Sequence, residues 1–402
     1  MFNYFKTSKE AEEWVMSFHR NRSYDELAKA KELFLDNYKN YHVIHVTGTN
    51  GKGSFVNYLK DLLMAEGYKV GTFQSPHYRI HRDRIRINGN NISEEAYLAL
   101  VNKYHDYFEK YNLGMFEMTF FIAGEYFKDE KVDYAIFEVG IGGRHDCTNL
   151  LPQKDLAVIC SVGLDHTDYL GPTTLSIAYN KAGIINGCNA LIGELGEKEK
   201  AIVKEQCEMT SSKLYTLKPY KVIKPGLFTY DGITYQLNTI AMYQAHNASL
   251  ALEAKHILVG RNDEKEKEAL AKSLWEGRFE IKERNPLVII DGAHNMHAVK
   301  ALDESLDQLK GKKAILFAAL KRKEYDAMIN ELQKHCDGLY LTSFAYPGAL
   351  KEEDYENYHL PYMKNYIEGL EDLKKQYDVI VICGSLYFLS EVVTKINFSG
   401  NK

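Results

Sequence analysis

No two of the six cysteines, at 147, 160, 188, 207, 336 and 383, form a Cys-x-x-Cys pair. Their scatter argues against both a compact disulfide framework and a cysteine-built zinc site, and a reducing compartment follows as the expectation. No apolar run approaches the roughly 20 residues that cross a bilayer. The first 14 residues also lack a signal-peptide core, because Lys6, Glu10, Glu12 and Glu13 interrupt the aromatics. A soluble, cytoplasmic protein is expected. Basic excess is missing too: the formal net charge is −5, unlike a generic nucleic-acid binder, so an anionic partner must be held locally. Internal repeats, low-complexity tracts and long flexible linkers are absent. What remains is an ordinary globular composition, 45% hydrophobic and 26% charged, over 402 residues, more than one core usually supports. Two domains are the natural reading.

Residues 9–40 read as a polar-amphipathic helical region, followed by the strand candidate His42-Val43-Ile44-His45-Val46. A glycine-rich turn over 48–53 then leads into Phe55, Leu59, Leu62 and Leu63, spaced as one face of a helix. Short apolar runs at 133–139 and 156–162, each ended by glycine, read as parallel strands covered on both faces. From about 285 the alternation restarts, with strand candidates at 286–290, 313–318, 338–343 and 377–383 and a helix carrying Ala298, Ala301, Leu302, Leu306 and Leu309. The expected fold class is α/β: a P-loop type, mostly parallel sheet over 1–284 and a smaller doubly wound, Rossmann-like domain over 285–402.

The stretch Val46-Thr47-Gly48-Thr49-Asn50-Gly51-Lys52-Gly53-Ser54 lies between a strand and a helix, the context a phosphate loop requires. Its glycines let backbone amides converge on phosphate oxygens, and the helix N-terminus adds a favourable dipole. Lys52 can neutralise the outer phosphates, and Ser54 can offer its hydroxyl to Mg2+. Gly53 intervenes between Lys52 and Ser54, so this is a variant of the usual loop; the alternative is a glycine-rich turn with no ligand. Glu138 ends a predicted strand, His166 follows another, and Ser75 follows the short segment 70–73. All three fall where open α/β sheets bind ligands. Between Ser75 and Arg86 lie His77, Arg79, His81, Arg82, Arg84 and Arg86 against a single acid, Asp83, a local cationic patch or a solvated basic loop.

The variant Gly-Thr-Asn-Gly-Lys-Gly-Ser resembles the loop of the Mur-type ligase superfamily, and specifically of the folylpolyglutamate synthase and dihydrofolate synthase family. Further segments resemble that family in the same order: Ser75-Pro76-His77, Arg84-Ile85-Arg86-Ile87-Asn88-Gly89, Phe116-Glu117-Met118-Thr119, Glu138-Val139-Gly140-Ile141-Gly142-Gly143-Arg144, Asp165-His166, Lys181-Ala182-Gly183-Ile184, Gln244 with Asn247, Gly277-Arg278 and Asp291-Gly292-Ala293-His294-Asn295. The resemblance runs from about residue 42 to Gly384-Ser385.

It implies ATP held by residues 48–54, and Ser75, Glu138 and His166 as metal ligands with Ser54 near the phosphates. It implies a carbamate on Lys181, which residue type alone would leave an ordinary lysine. A K+ ion is a further addition with no residue pattern of its own. Phe116 and Glu117 are similar to the family's pterin-binding stretch, although a Phe/Met run is more often core, and Arg144-His145-Asp146 lies where the family contacts the same ligand. His145 stands where the family often has an apolar residue. By the same resemblance Asn247 faces the nucleotide base or sugar, Arg278 reaches the γ-phosphate, Asp291 anchors the nucleotide and His294 approaches the phosphates or the incoming amino acid. Ser385 would help hold glutamate, with a plain turn as the alternative. Glu276 and Met296 replace prolines usual in the family, which bears on loop geometry.

The expected reaction is amide formation. A carboxylate resists an amine, so transfer of the γ-phosphoryl group of ATP makes an acyl phosphate that the amine of L-glutamate then opens. Lys52, Arg278 and the metal would stabilise the moving charge. The expected substrates are a folate or dihydropteroate, L-glutamate and ATP, with no nucleic-acid or membrane partner and a monomeric state. A peptidoglycan-precursor ligase of the same superfamily is the alternative, and a nucleotide-dependent switch is a rival from another class.

Overall fold

The computed structural model describes residues 4–18 and 40–398. Of the helical region expected over 9–40, the described part is the helix Ser8–Met16, and most of the remainder lies outside the described residues. That helix starts at a capping box: Thr7 Oγ1 accepts from Glu10 N, and the Glu10 carboxylate accepts from Thr7 N. The chain divides into two compact units, Met1–Lys218 with Asn247–Ala269, and Pro219–His246 with Leu270–Lys402.

The first unit is built on eight strands: β1 (His42–Thr47), β2 (Val70–Phe73), β3 (Ile85–Ile87), β4 (Asn90–Asn91), β5 (Tyr134–Glu138), β6 (Leu156–Ile159), β7 (Asn189–Ile192) and β8 (Leu214–Thr216). Their order is β4-β3-β2-β5-β1-β6-β7-β8, parallel from β2 to β8 and antiparallel at β3 and β4. The apolar runs of β2, β5 and β6 are buried along their whole length, as expected of strands covered on both faces. The register levels the carboxyl ends that matter: Phe73 pairs with Phe137, Val46 with Glu138 and Thr47 with Ile159. Segments leaving β2, β5, β1 and β6 therefore start from one edge. On one face the helix Met115–Asp129 lays Phe120 and Phe127 against Phe137, with ring centroids 5.5 and 5.7 Å away.

The second unit holds two sheets. One is a three-stranded antiparallel sheet, β9 (Tyr220–Lys224), β10 (Leu227–Tyr230) and β11 (Ile233–Gln236), in the order β11-β10-β9. The other has β12 (Glu280–Arg284), β13 (Leu287–Ile290), β14 (Lys313–Phe317), β15 (Gly338–Thr342), β16 (Tyr362–Met363) and β17 (Val379–Cys383), ordered β12-β13-β17-β14-β15-β16. All four strands expected in this sheet are present and parallel; β13, β14 and β17 are buried at their centres, and β15 buries Leu339, Leu341 and Thr342. An antiparallel β12 and a short β16 flank them. All six cysteines are free thiols, and among the described residues no helix is long and apolar enough to cross a membrane.

Candidate functional site

β1 delivers the glycine-rich loop directly to the helix Lys52–Ala65, with Gly51 as N-cap at φ +84. A side chain at Gly51 would be strained by that φ, and its β-carbon would come 2.5 Å from Asn247 Oδ1. The glycine therefore permits both the turn and the approach of Asn247. The loop is laced to the segment after β6: Thr49 N donates to Ser161 O, Asn50 N to Ser161 Oγ, and Thr49 Oγ1 to Gly163 O, each at 3.0 Å. Gly48 has Cys160 against it, where an added β-carbon would lie 3.0 Å from Cys160 Cβ. These bonds set the backbone without occupying the Lys52 ammonium in a salt bridge; Lys52 Nζ donates to Gly48 O at 2.8 Å. Ser54 is buried within the first turn of the helix.

Beside the loop sits a group of buried ionisable residues. Glu138 ends β5 and is 3% exposed. Lys181, near the end of the helix Thr174–Ala182, is also 3% exposed, and burial followed by the nearby Lys52 lowers its ammonium from 10.5 to about 7, with Asp165 opposing. Cys160 feels Lys52, Glu138 and Lys181 together, while burial pushes its thiol up to about 12. Electrostatic coupling thus gathers Lys52, Glu138, Cys160, Asp165 and Lys181 in one neighbourhood. His166 follows Asp165 in a left-handed conformation, φ 51, and Asp165 Oδ1 accepts its backbone N–H at 2.9 Å. Ser75 follows β2, half-buried, at a cis peptide with Pro76.

The donor set suits a divalent cation of the magnesium kind. Glu138 is a buried carboxylate, Ser54 and Ser75 carry hydroxyls and His166 an imidazole that could join it, and such an ion ordinarily takes its remaining ligands from nucleotide phosphates and water.

Of the residues expected at a pterin, Phe116 packs on the loop after β5: a β-carbon on Gly140 would lie 2.8 Å from the Phe116 ring and 3.0 Å from Asp146 Oδ2. Phe116 also stands 5.4 Å from Phe73, ring to ring. Asp146 holds this loop from inside, accepting from Ile141 N, Thr148 N and Thr148 Oγ1; burial raises its carboxyl and these bonds oppose the shift. Glu117 is buried and accepts from Gly114 N at 2.7 Å, so it caps its own helix. Arg144 turns the other way, stacking 4.1 Å over Tyr179 and donating to Gln206 Oε1 at 2.9 Å, while His145 is exposed.

The basic segment is more internally bonded than its composition suggests. Arg82 pairs with Glu12 and Glu94, Arg84 is buried beside His77, and Asp83 accepts from the backbone amides of Tyr78, Arg79 and Ile80. Arg79 is exposed.

In the second unit, Asp291 follows β13 and is buried. Its carboxylate accepts from Tyr243 Oη at 2.6 Å, Ala293 N at 2.8 Å and Phe279 N at 2.9 Å. Burial raises its carboxyl; Tyr243 and then Arg278 pull it down. Arg278 lies against Gly292, where a β-carbon would sit 2.0 Å from Nη1, and His294 Nδ1 is 2.8 Å from Gly292 O. Ser385 is the N-cap of the helix Leu386–Lys395, accepting from Tyr387 N at 3.3 Å. The contributions of Cys160, Ser161 and Tyr243 were not read from the sequence, because each acts on a residue far along the chain. Only Asp165 carried a signal, its adjacency to His166.

Residues 46–255 match the Mur ligase middle domain, and residues 277–386 match the Mur ligase, glutamate ligase domain. The chain is 33% identical over 390 residues to the dihydrofolate synthase/folylpolyglutamate synthase of Bacillus subtilis (strain 168), covering 88% of this chain and 90% of that protein. Its fold matches E. coli FolC in complex with DHPP and ADP, with TM-score 0.88, 26% identity and 98% of both chains covered. It also matches the bifunctional folylpolyglutamate synthase/dihydrofolate synthase from Yersinia pestis complexed with AMPPNP and Mn ion, with TM-score 0.86, 25% identity and coverage of 98% and 99%. The chain belongs to the folylpolyglutamate synthase/dihydrofolate synthase family of Mur-type ligases. Its class of chemistry is ATP-dependent carboxylate–amine ligation.

Proposed function

We propose that this protein couples L-glutamate to the carboxylate of a reduced folate, and to dihydropteroate as a second donor, through an acyl phosphate, with release of ADP and phosphate. The observation that carries the reading is the glycine loop 48–54 opening a buried helix at the carboxyl end of β1, with Glu138 and Lys181 buried beside it. Loop amides and Lys52 bind the triphosphate, and Asn247, seated against Gly51, takes the nucleoside. Ser54, Ser75, Glu138 and His166 would hold Mg2+, which would neutralise charge on the phosphates. The donor carboxylate attacks the γ-phosphorus and ADP leaves; Lys52 stabilises the charge spread over the transferring oxygens, and a planar guanidinium such as that of Arg278 suits the same kind of charge. The glutamate amine then adds to the acyl carbon, and phosphate leaves with the former carboxylate oxygen.

Phe116 and Glu117 form a wall for the pterin, with Arg144, His145 and Asp146 on the neighbouring loop. Asp291 and His294 act on the nucleotide and the incoming amino acid, with Ser385 near glutamate. In this division of roles, residues 1–284 carry the phosphate loop and the folate function, and 285–402 carry the glutamate ligase function together with the nucleotide contacts of Asp291 and His294. Lys181, with an amine partly neutral near pH 7, combines with CO2 to give a carbamate, releasing one proton. The enzyme works in the cytoplasm as a monomer and takes no nucleic acid.

Incubation with ATP, Mg2+, L-glutamate and either tetrahydrofolate or dihydropteroate, read by product mass, tests the proposal. A gain of one glutamyl residue with stoichiometric ADP is expected from each donor. Turnover confined to a UDP-muramyl donor, or ATP hydrolysis with no amide, would overturn it.

A further inference from the structure

The second unit carries a group of ionisable side chains that the ligase reaction does not use. Asp303 lies on the helix Met296–Leu306, Glu331 on the helix Tyr325–Leu332, and His335 in the turn Gln333–His335 that follows. Asp303 is 5% exposed, and both of its carboxylate oxygens are buried and accept no hydrogen bond from any described residue. A buried carboxylate in that condition is costly, because no hydrogen bond replaces those of the water it has lost, and His335 stands 3.8 Å away. Burial accordingly raises its carboxyl to about 6, with His335 opposing and Glu331 and Asp307 adding to the rise.

The geometry around Asp303 is that of a ligand set. His335 Nδ1 lies 2.8 Å from Asp307 Oδ1, so Nδ1 carries a ring proton, and in the neutral imidazole the Nε2 lone pair faces Asp303 and Glu331. Nε2 is 3.8 Å from Asp303 Oδ2 and 4.0 Å from Glu331 Oε1, too far for hydrogen bonds. Two atoms bound to one Zn2+-like ion at about 2.0–2.2 Å stand no further apart than about 4.3 Å. Both histidine separations meet that limit; the two carboxylate oxygens lie within 4.8 Å of one another, a looser bound. Glu331 gives its other oxygen, Oε2, to Lys334 Nζ at 2.6 Å, which leaves Oε1 turned toward the histidine. The cations in reach, Lys334 and Lys300, act on the rim of the group and form no hydrogen bond with Asp303. A carboxylate holding the outer nitrogen of a ligating imidazole is the usual support of a metal-bound histidine, and Asp307 fills that position.

We propose that Asp303, Glu331 and His335 bind a divalent transition-metal ion of the zinc class, with Asp307 as a positioning residue. The ion joins two helices of the glutamate ligase domain and neutralises Asp303. One imidazole with two carboxylates, with no phosphate oxygens to complete an octahedron, suits it better than Mg2+.

The test titrates ZnCl2 into chelator-treated full-length protein, with Mg2+ and AMPPNP saturating to occupy the nucleotide site, against a chromophoric chelator. Wild type is expected to take up one zinc equivalent that Mg2+ does not displace. Asp303→Asn and His335→Gln lose that equivalent, and Asp307→Asn binds about 10–100-fold more weakly. The His335 side chain is one-fifth exposed, so His335→Gln is the variant expected to keep its fold, checked by circular dichroism and unchanged ligase turnover. With Co2+ as the probe, wild type should show a visible d–d band that His335→Gln lacks. No zinc uptake by wild type, or equal uptake and an equal cobalt spectrum in His335→Gln, would overturn the proposal.

Discussion

Lys181 is where burial and chemistry meet most directly. Its ammonium is lowered to about 7 by burial and by Lys52. In the unfolded chain the same group titrates near 10.5, so between these values the unfolded state binds more protons and stability rises with pH. The cost of the buried charge is complete below about pH 7 and fades as pH approaches 10.5. Lys181→Met keeps the aliphatic stem and removes the charge, so it should be more stable than wild type near about pH 6, by on the order of a few kcal/mol. That gap should nearly close near about pH 10 and vanish above about pH 11, where the wild-type amine is neutral in both states. Urea unfolding in CO2-free buffer at the two pH values checks this, and a gap independent of pH would refute it. The residue type was legible as part of the Lys181-Ala182-Gly183-Ile184 motif, but its displaced titration was not, because it comes from tertiary burial and then from Lys52, distant in sequence.

Ser385 shows how a candidate binding residue acquires a second role once its helix is seen. Its hydroxyl caps the helix Leu386–Lys395, whose N-terminal amides would otherwise lack a partner. Ser385→Ala should cost about 1 kcal/mol of stability, the usual worth of such a cap. If it is a cap only, KM for glutamate stays unchanged; a rise in KM with unchanged stability would instead assign it to the substrate. Elements with strong local patterns were legible: the β-branched run of β1, the apolar β5 and β6, and the restart at β13 all lie within two or three residues of their expected bounds. The antiparallel sheet β9-β10-β11 was missed although Asp231-Gly232 signals its hairpin, with φ 47 and 81 between paired strands. Its strands are short and half-exposed, so alternation there is weak against the surrounding helical signals.

At the scale of the whole molecule, ligand binding should appear as stability. AMPPNP with Mg2+ at about 100 times its Kd should stabilise the native state by about 2.7 kcal/mol, seen as a rise in Tm. Lys52→Ala removes the ammonium aimed at the phosphates and should abolish most of that shift while leaving the ligand-free Tm close to wild type, since Lys52 makes a single described hydrogen bond, to Gly48 O. A wild-type Tm indifferent to nucleotide would contradict the phosphate-loop assignment. Amino-acid order by itself determined the α/β class, the strand-to-helix placement of residues 48–54 and the family, because these are written in local spacing and contiguous motifs. Tertiary structure alone decided that Asn247 abuts Gly51, that Arg144 turns toward Gln206, and that Asp303 faces His335. Those relations join residues from 32 to 196 positions apart, and only packing and register bring such groups within reach of one another.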